Sequence, residues 1–394
     1  MKFDKIDAVV KLTERCNINC TYCYMFNKGS SLYESKPKQM NMATYEAIAR
    51  FLVKGAQEVG ASILRIVFHG GEPTMIKPSI FAKYCDVILA EAKGKVNVEL
   101  TIQTNAVLIN DEWIDVFETN RVHVGISLDG DRTTNDRHRV DHAGRGTYDR
   151  TIAGVRRLFE ASRQGRIGPP ALLCVLNPDE DGAKTFNHFA KDIGFEWMDF
   201  LLPIETRDTT TPEMGAKVGR YLEGVFRAWN ELGNPDVTVR FFDQFYTFMT
   251  GYSRMTDRKR LPTAGTLIIS ISTDGTFGPD DTLRVVNEDY FGFDCRTTSL
   301  FEYLTHPLIH QTVKAASTLP ADCRDCAWAG YCVGGAANGR LVNRYSEQSL
   351  YDEKSILCDG FTHIYAILAR ALMKSGYPKT VMLDRLEKTA ERLQ

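Results

Sequence analysis

The sequence predicts an α/β protein: a partial (β/α)6 barrel over about the first two hundred residues, then a cysteine-rich region with a β-hairpin and helices. Three observations support this fold class. Short apolar runs alternate with amphipathic stretches along the first half, the pattern changes near residue 203, and the 10 cysteines fall mainly into two groups. The length of 394 residues is enough for two or three domains.

The alternation in the first half predicts repeated βαβ units. Predicted strands cover 6–12, 64–69, 97–104, 122–128, 171–176 and 198–202. Predicted helices between them cover 42–59, 79–92, 111–118, 148–161 and 182–192. Apolar strands joined by amphipathic helices form parallel sheets with right-handed crossovers, and six such strands can curve into a partial barrel. Ligands bind at the carboxyl ends of such strands, so residues that follow the strands are candidates for a site.

Beyond residue 203 the pattern is more varied. A polar stretch with two prolines at 203–212 predicts a linker, and an aromatic stretch at 239–252 is expected to pack in a core rather than line a peptide channel. The turn dipeptide Asp274-Gly275 predicts a hairpin over 266–281. Later helices are predicted at 216–232, 361–373 and 381–393. We expect four segments: the barrel at 1–203, a linker and helical bridge at 204–262, an auxiliary cysteine-rich domain at 263–360, and C-terminal helices at 361–394.

Composition and charge exclude several classes of function. The 48 basic and 50 acidic residues leave a net charge of −2, and the pI is near 6.5. There is thus no electrostatic basis for binding nucleic acid or an anionic membrane. No apolar run reaches the roughly 18 residues needed to cross a bilayer, and the N-terminus lacks an apolar secretory segment. We therefore expect a cytoplasmic protein with no membrane partner.

The first cysteine group predicts a metal centre. Cys16, Cys20 and Cys23 follow the first predicted strand with the spacing C-x3-C-x2-C. In a reducing compartment, clustered thiols are more often metal ligands than disulfides. Three thiolates without a fourth ligand alongside fit a [4Fe–4S] cluster with one open iron. The alternative is a zinc loop with His69 as its fourth ligand.

The second group reads C-x2-C-x5-C with a later fourth cysteine, and it comprises Cys323, Cys326, Cys332 and Cys358. Four thiolates complete a closed site, and the spacing fits either zinc or a second [4Fe–4S] cluster. The remaining cysteines are isolated. Cys85 and Cys174 lie in apolar runs typical of buried core thiols, and Cys295 receives no role.

Three short motifs follow predicted strands in the first segment. They are H-G-G-E-P at 69–73, Q-T-N-A at 103–106, and S-L-D-G at 127–130, the last followed by N-D-R-H-R at 135–139. Adjacent glycines allow the backbone to approach a ligand closely, and the Glu72 carboxylate can accept from a ligand amine. Each motif alone is typical of a turn. Together, beside a three-thiol loop, they predict a cofactor site.

With these motifs, about the first two hundred residues resemble the radical SAM superfamily. C-N-I-N-C-T-Y-C-Y matches its cluster-binding loop, and G-G-E-P matches its methionine-binding motif. The resemblance implies that Cys16, Cys20 and Cys23 hold a [4Fe–4S] cluster whose fourth iron is chelated by S-adenosylmethionine (SAM). It also implies that one electron from the cluster cleaves SAM to a 5′-deoxyadenosyl radical, which abstracts a substrate hydrogen. An electron donor such as flavodoxin or ferredoxin is then an expected partner.

The same resemblance implies a set of SAM contacts. The expected SAM-binding residues are Tyr22, Gly70, Gly71, Glu72, Asn105, Ser127 and Arg139. Glu72 and the backbone of the two glycines would hold the methionyl amine. Ser127 and Arg139 would bind the carboxylate, and Tyr22 would pack near the adenine.

The second half resembles the SPASM extension of peptide-modifying radical SAM enzymes, which usually carries two auxiliary clusters. The chain keeps the four cysteines of the cluster farther from the active site. It departs at Ala336, where the usual C-x5-C-x3-C pattern places a cysteine, and at Asp280, where G-x4-C counted from Gly275 places another. Because the ligands of the nearer cluster are missing, we expect two [4Fe–4S] clusters, one SAM-binding and one auxiliary.

Two segments resemble one subgroup, the enzymes that form three-residue cyclophanes in ribosomal peptides. These segments are S-T-D-G-T-F-G-P-D-D-T-L-R at 272–284 and G-G-A-A-N-G-R-L-V-N-R-Y-S at 334–346. Such an enzyme would abstract a Cβ hydrogen from a precursor peptide and join that carbon to an aromatic ring. The adduct must lose an electron and a proton, and Asp281 is the candidate catalytic base. The alternative for Asp281 is a surface hairpin acid or a cap for the following residues.

The expected partner is therefore a ribosomally made precursor peptide. Since the first strand begins near residue 6, we expect a leader to dock on the catalytic body or through another protein rather than on an N-terminal domain. Two other functions stay open. One is an anaerobic sulfatase-maturating enzyme, which oxidises Cys or Ser to formylglycine with the same parts. The other is a non-enzymatic zinc protein with two thiolate sites.

Overall fold

The computed structural model describes residues 2–252, 265–337 and 340–393. The strands are β1 (Lys5–Thr13), β2 (Ile63–Gly70), β3 (Asn97–Thr104), β4 (His123–Ser127), β5 (Ala171–Val175), β6 (Trp197–Leu201), β7 (Thr238–Val239), β8 (Thr266–Ile271), β9 (Thr276–Gly278) and β10 (Phe293–Asp294). All six strands predicted in the first half are observed, each within one residue of its predicted ends. The predicted fold class, a mixed α/β protein with a parallel sheet, is confirmed.

The helices alternate with these strands along the chain. They are α1 (Leu32–Ser35), α2 (Met42–Val59), α3 (Pro78–Ala92), α4 (Asp111–Asn120), α5 (Arg132–His138), α6 (Tyr148–Arg163), α7 (Gly182–Asn187), α8 (Met214–Leu232), α9 (Arg240–Thr250), α10 (Leu300–Thr305), α11 (Pro307–Ser317), α12 (Ala329–Cys332), α13 (Cys358–Lys374) and α14 (Lys379–Glu391). The predicted helices are all present, and α7 continues as a π-helix at His188–Ile193. Helix α5 was not predicted, because its polar residues show no apolar periodicity. It begins where the Asp131 side chain accepts from the Thr134 N–H.

The chain forms two compact units, and the first contains most of the sheet. Unit 1 comprises Met1–Leu173 and Gly265–Ile309. Its strands lie in the order β10-β9-β8-β1-β2-β3-β4-β5. Strands β1 to β5 run parallel, β8 is parallel to β1, and β9 and β10 continue as antiparallel strands. The carboxyl ends of the parallel strands therefore share one edge of the sheet.

The hairpin joins this sheet directly. The sequence analysis grouped it with the later cysteines, but β8 pairs with β1 from Lys5↔Thr266 to Val10↔Ile271. Gly275 has φ +89° in the turn, a conformation that a side chain would strain. The returning strand is shorter than predicted, because a 3-10 helix begins at Asp281 and covers Asp281–Val285. This arrangement carries the residues after β9 towards β1.

Unit 2 comprises Cys174–Ala264 and His310–Gln394, and it holds the second cysteine group. Within it β6 pairs in parallel with β7. The aromatic stretch forms α9, with Phe241, Phe242, Phe245 and Phe248 buried, so its expected place in a core is confirmed. The expected bridge and the second subgroup-like segment include 253–262 and 338–339, which lie outside the described residues. Across the described ranges, no helix is long and apolar enough to cross a membrane.

Candidate active site

The first cysteine group lies in the loop that leaves β1 at the carboxyl edge of the sheet. This loop is held by its backbone: the Asn19 N–H donates to the Val140 carbonyl (2.7 Å) and the Thr21 N–H to the His138 carbonyl (3.0 Å). Burial raises the pKa of the Cys20 thiol to about 11. A thiol in such surroundings ionises when a cation binds it, because the metal stabilises the thiolate.

The two glycines of the H-G-G-E-P motif pack against the chain that leads into this loop. The Gly71 N–H donates to the Thr13 carbonyl (2.8 Å), and the Glu72 N–H donates to the Arg15 carbonyl (2.9 Å). A Cβ on Gly70 would lie 2.4 Å from the Thr13 oxygen, and one on Gly71 would lie 2.1 Å from the Arg15 oxygen. These two glycines thus let the backbone of the motif pack closely against the residues that precede Cys16.

Replacing Gly71 with alanine should displace the cysteine loop. The added Cβ would meet backbone atoms of Arg15 and Cys16, which cannot move without shifting the loop. We expect Gly71→Ala to lose at least tenfold in SAM cleavage, measured as 5′-deoxyadenosine released under reduction. Gly168→Ala is the matched control, because its Cβ would meet only His123 Nδ1 at 3.8 Å. Equal 5′-deoxyadenosine from Gly71→Ala and the unchanged chain would contradict this role.

Glu72 is a buried carboxylate held by four donors. Its Oε1 accepts from the Thr74 N–H (3.0 Å), the Thr74 hydroxyl (2.5 Å) and the Thr104 hydroxyl (2.7 Å), and its Oε2 accepts from the Asn105 N–H (2.8 Å). Burial raises the pKa of this carboxyl, and these hydrogen bonds oppose the rise. The side chain is therefore fixed at the ends of β2 and β3, next to the cysteine loop.

Two further predicted SAM contacts lie at the same edge. The Asn105 amide donates to Asn17 Oδ1 (2.7 Å), inside the cysteine loop, and lies 4.0 Å from the Cys16 sulfur. The Ser127 hydroxyl accepts from Gln103 Nε2 (2.7 Å). The predicted SAM-binding residues at the ends of β2, β3 and β4 thus share the edge that carries the cysteine loop.

Tyr22 and Arg139 form a buried polar cluster with Asp129, which the sequence analysis did not select. The Tyr22 hydroxyl donates to Asp129 Oδ2 and accepts from Arg139 Nη1 (2.9 Å), and Arg139 lies 3.8 Å from Asp129. Burial raises the pKa of Tyr22 well above its usual value, so it stays a donor. The Nε of Arg139 is buried without a hydrogen-bond partner. An orphaned guanidinium N–H beside three thiols fits an anionic cofactor group such as a carboxylate.

Asp281 is buried at the end of the hairpin, in contact with β1. It is 8% exposed, its Oδ2 accepts from the Tyr24 hydroxyl, and Lys11 Nζ lies 3.7 Å from the same oxygen. Burial alone would raise the pKa of this carboxyl, but the charges of Lys11, His69 and Arg284 together with the hydrogen bond lower it to about 2. Asp281 is therefore ionised at neutral pH and able to accept a proton.

The alternative reading of Asp281 as a surface acid or cap is wrong. The residue is buried, and the cap of the following 3-10 helix is its neighbour Asp280. Asp280 Oδ1 accepts from the Thr282 N–H (2.9 Å) and the Thr282 hydroxyl (2.6 Å). Asp280, which stands where the usual SPASM pattern has a cysteine, therefore caps this 3-10 helix.

The second cysteine group lines one pocket in unit 2, with an empty volume of about 340 Å³. Its lining includes Cys323, Cys326, Cys332, Cys358, Trp328, Phe361 and Tyr365. The Trp328 N–H lies 3.5 Å from the Cys326 sulfur, and the Tyr365 hydroxyl lies 4.0 Å from the Cys332 sulfur. Burial raises the pKa of Cys323 to about 11 and that of Cys332 to about 12. The structure therefore brings together the four thiols that the spacing had grouped.

A single zinc ion requires several His, Cys, Asp or Glu side chains close together. Over residues 2–252, 265–337 and 340–393, no three His, Cys, Asp or Glu side chains converge closely enough to hold one metal ion. His69, proposed as a fourth zinc ligand, is half-buried, and the charges of Asp281, Lys11 and Arg284 act on it. A cluster of four irons and four sulfides keeps its thiolates farther apart than one zinc ion does, with Zn–S distances of about 2.3 Å.

Lys11, Tyr24 and Asp129 were not predicted from the sequence as members of this site. Lys11 carried a signal, because a lysine inside the apolar run V-V-K-L of a buried strand requires a charged partner. Asp129 was treated as part of a turn motif. Tyr24 follows the last cysteine of the loop and had no pattern of its own.

Comparisons with known proteins cover both units. The radical SAM superfamily matches residues 10–175. A curated cysteine-type anaerobic sulfatase-maturating enzyme of Clostridium novyi is 24% identical over 342 residues, which is 84% of this chain and 87% of that protein. A serine-type enzyme of Klebsiella aerogenes is 27% identical over 220 residues, 55% of this chain and 52% of that one. The solved structure of anSMEcpe with bound AdoMet and Kp18Cys peptide aligns with a TM-score of 0.76 at 20% identity, covering 94% and 99% of the two chains.

These similarities agree with the geometry. The structural likeness shows the fold, and the superfamily match covers the end of β1, the cysteine loop, the H-G-G-E-P motif and the ends of β3 and β4. The cofactors of this superfamily are SAM and a [4Fe–4S] cluster. The superfamily match covers residues 10–175, which hold the cysteine loop and all the predicted SAM-binding residues, and it supports an enzymatic role for this chain.

Proposed function

We propose that the enzyme abstracts a Cβ hydrogen from a ribosomally made precursor peptide and joins that carbon to a nearby aromatic ring, forming a cyclophane. The observation that carries this proposal is Asp281. It is an ionised, buried carboxylate that ends the hairpin beside β1 and precedes Thr282-Leu283-Arg284, as in the subgroup that the hairpin resembles. The expected partners are that peptide and an electron donor such as flavodoxin or ferredoxin.

The cofactor contacts are assigned on the same edge of the sheet. Cys16, Cys20 and Cys23 would hold the SAM-binding cluster, and the residues that would hold SAM are Tyr22, Gly70, Gly71, Glu72, Asn105, Ser127 and Arg139. Bound together, these cofactors supply a 5′-deoxyadenosyl radical. The Glu72 carboxylate would orient a cationic amine, and the unpartnered Nε of Arg139 would donate to a carboxylate.

Asp281 would then complete the reaction. Once the new carbon–carbon bond forms, the attacked ring carbon still carries its hydrogen. Aromaticity returns when that hydrogen leaves as a proton and one electron is removed. Asp281 would accept the proton at its carboxylate, which a pKa of about 2 keeps ionised. An auxiliary [4Fe–4S] cluster on the four thiols of unit 2 would supply an electron acceptor.

A second candidate is formylglycine formation, favoured by the curated relatives. The Clostridium novyi enzyme aligns over 84% of this chain. Oxidation of Cys or Ser to formylglycine also begins at Cβ and also needs a base. Asp280 and Ala336, which stand in place of two cysteines, favour the cyclophane reading because that cysteine pattern belongs to the general peptide-modifying family.

Co-expression of this chain with a candidate precursor peptide tests the two candidates. A crosslink and a formylglycine made from serine both lose two hydrogens relative to the peptide, so intact mass cannot separate them. A formylglycine made from cysteine also exchanges sulfur for oxygen, so its mass differs from that of a crosslink. A crosslink should suppress fragmentation between the bridged residues and show a substituted ring by NMR. A formylglycine should react with a hydrazine probe and fragment normally. A hydrazine-reactive, fully fragmenting product would refute the crosslink.

Iron content tests the assignment of the auxiliary site. After anaerobic reconstitution we expect about eight irons per chain, since two [4Fe–4S] clusters are assigned. Cys358→Ala should lower this to about four, because one of four thiolate ligands is lost. Cys85→Ala is the control: Cys85 is buried on α3 and belongs to neither group. A colourless protein with stoichiometric zinc and no 5′-deoxyadenosine would support the zinc alternative instead.

A further inference from the structure

Lys11 is a completely buried cation in the middle of the sheet. It is 0% exposed on β1, which lies between β2 and β8, and it is opposite His69 in the β1–β2 register. Its Nζ makes no hydrogen bond and is 3.7 Å from Asp281 Oδ2. Burial, and then the charge of Arg284, lower the pKa of Lys11 to about 8, so it is still cationic at neutral pH. A buried ammonium with no hydrogen bond is costly unless a nearby carboxylate offsets it.

Several charged or titratable groups face Asp281, and they come from different elements. Lys11 is on β1, His69 lies near the end of β2, Tyr24 is in the cysteine loop, and Arg284 is on the same 3-10 helix as Asp281. Arg284 is 2% exposed, and its Nε and Nη1 have no hydrogen-bond partner. Arg284 lies on the same short helix as Asp281, whereas Lys11 lies on a strand of the sheet.

Lys11 differs from Arg284 because it lies on the central strand β1 and forms an ion pair with Asp281 on the 3-10 helix. A second buried carboxylate, Glu14, also attracts Lys11, and its Oε2 has no hydrogen-bond partner. We propose that Lys11 is the positioning residue of the Asp281 carboxylate: its charge keeps Asp281 ionised and holds the hairpin end against β1. This inference rests on the proposed function, in which Asp281 is the proton acceptor.

A double-mutant cycle tests the ion pair without any substrate. The reconstituted full-length chain, Lys11→Met, Asp281→Asn and the double variant are unfolded in denaturant. Removing one partner leaves the other charge buried, so each single change should destabilise the fold. If the two changes were independent, their effects on the free energy of unfolding would add. We expect the double variant to be more stable than this sum, by at least tenfold in the equilibrium constant for unfolding. Additive losses would overturn the proposal.

Lys5→Met is the matched control for this cycle. Lys5 begins the same strand, is 5% exposed, and pairs with Glu99 at 3.1 Å instead of with Asp281. Its effect should add to that of Asp281→Asn without coupling. If Lys11→Met fails to fold, Lys11→Gln replaces it, since the amide keeps polarity without charge. Coupling of the same size for Lys5 and Lys11 would also overturn the proposal.

The pH dependence of product formation gives a second, functional readout. Without Lys11 the pKa of buried Asp281 should rise, so the base form appears only at higher pH. We expect the ratio of peptide product to 5′-deoxyadenosine in Lys11→Met to fall towards low pH and to recover as the pH rises, with a midpoint above that of the unchanged chain. The unchanged chain and Lys5→Met should show a flat ratio. An unchanged flat ratio in Lys11→Met, or loss of SAM cleavage along with product, would contradict this role.

The two experiments separate two kinds of failure. If the unchanged chain crosslinks no peptide, the proposed function fails, while the denaturation cycle still decides whether Lys11 holds Asp281. If crosslinking is confirmed but the cycle is additive, the proposed function stands and Lys11 is not its positioning residue.

Discussion

Cys16→Ala abolishes release of 5′-deoxyadenosine: this is the largest effect that we expect from a single substitution. Cys16 is one of three thiols in the loop after β1, and Asn105 links that loop to β3. Removing one of three thiolate ligands should lose the SAM-binding cluster, and a cluster that holds SAM is what its cleavage requires. The measurement is anaerobic turnover with dithionite, with 5′-deoxyadenosine quantified by chromatography.

Iron and spectra separate this loss from unfolding. About four irons per chain should remain in Cys16→Ala, since the four thiols of unit 2 are intact. Cys85→Ala, which removes a buried thiol elsewhere in unit 1, should keep normal cleavage. If Cys16→Ala still released 5′-deoxyadenosine at the normal rate, the three-thiol loop would not be the cluster site.

Asp281→Asn should separate SAM cleavage from product formation. Asparagine keeps the size of the side chain but cannot take up a proton as a carboxylate does. We expect 5′-deoxyadenosine to form at near the normal rate and peptide product to fall by at least a hundredfold, because general base catalysis typically contributes about 10² to 10⁴. Both are measured in the same reaction by mass spectrometry.

Asp280→Asn is the neighbouring control. Asp280 caps the 3-10 helix through Thr282, and asparagine is an equally good cap, so the backbone should be unchanged. Product should form normally in this variant. A normal product yield from Asp281→Asn would exclude Asp281 as the base, and loss of cleavage would show that it acts on the cofactor site.

Much of the site could be predicted from local patterns. The strands of the first half were predicted within one residue of their ends, because period-two burial and strand length depend on neighbouring residues. The two thiol groups were assigned from spacing, and the second does line one pocket. The motif H-G-G-E-P indicated close backbone approach at Gly70 and Gly71, although the partner proved to be the chain itself.

Other parts of the site could not be predicted locally. Helix α5 is polar throughout, and only the Asp131 cap marks its start. Asp129 looked like half of a turn, yet it is buried with Tyr22 and Arg139 from two other segments. No local pattern separates the adjacent acids Asp280 and Asp281, and only the resemblance to the cyclophane-forming subgroup singled out Asp281. The structure shows that Asp280 caps the 3-10 helix and that Asp281 is buried beside Lys11.

The sequence by itself determined the alternation of strands and helices, the two sets of thiols and the motifs at the strand ends, because each depends on residue type and spacing. The tertiary structure decided where the hairpin lies. Residues 266–271 pair with β1, which brings Asp281 to Lys11 across most of the chain. Pairing between strands so distant in sequence depends on packing and register, which no local pattern encodes.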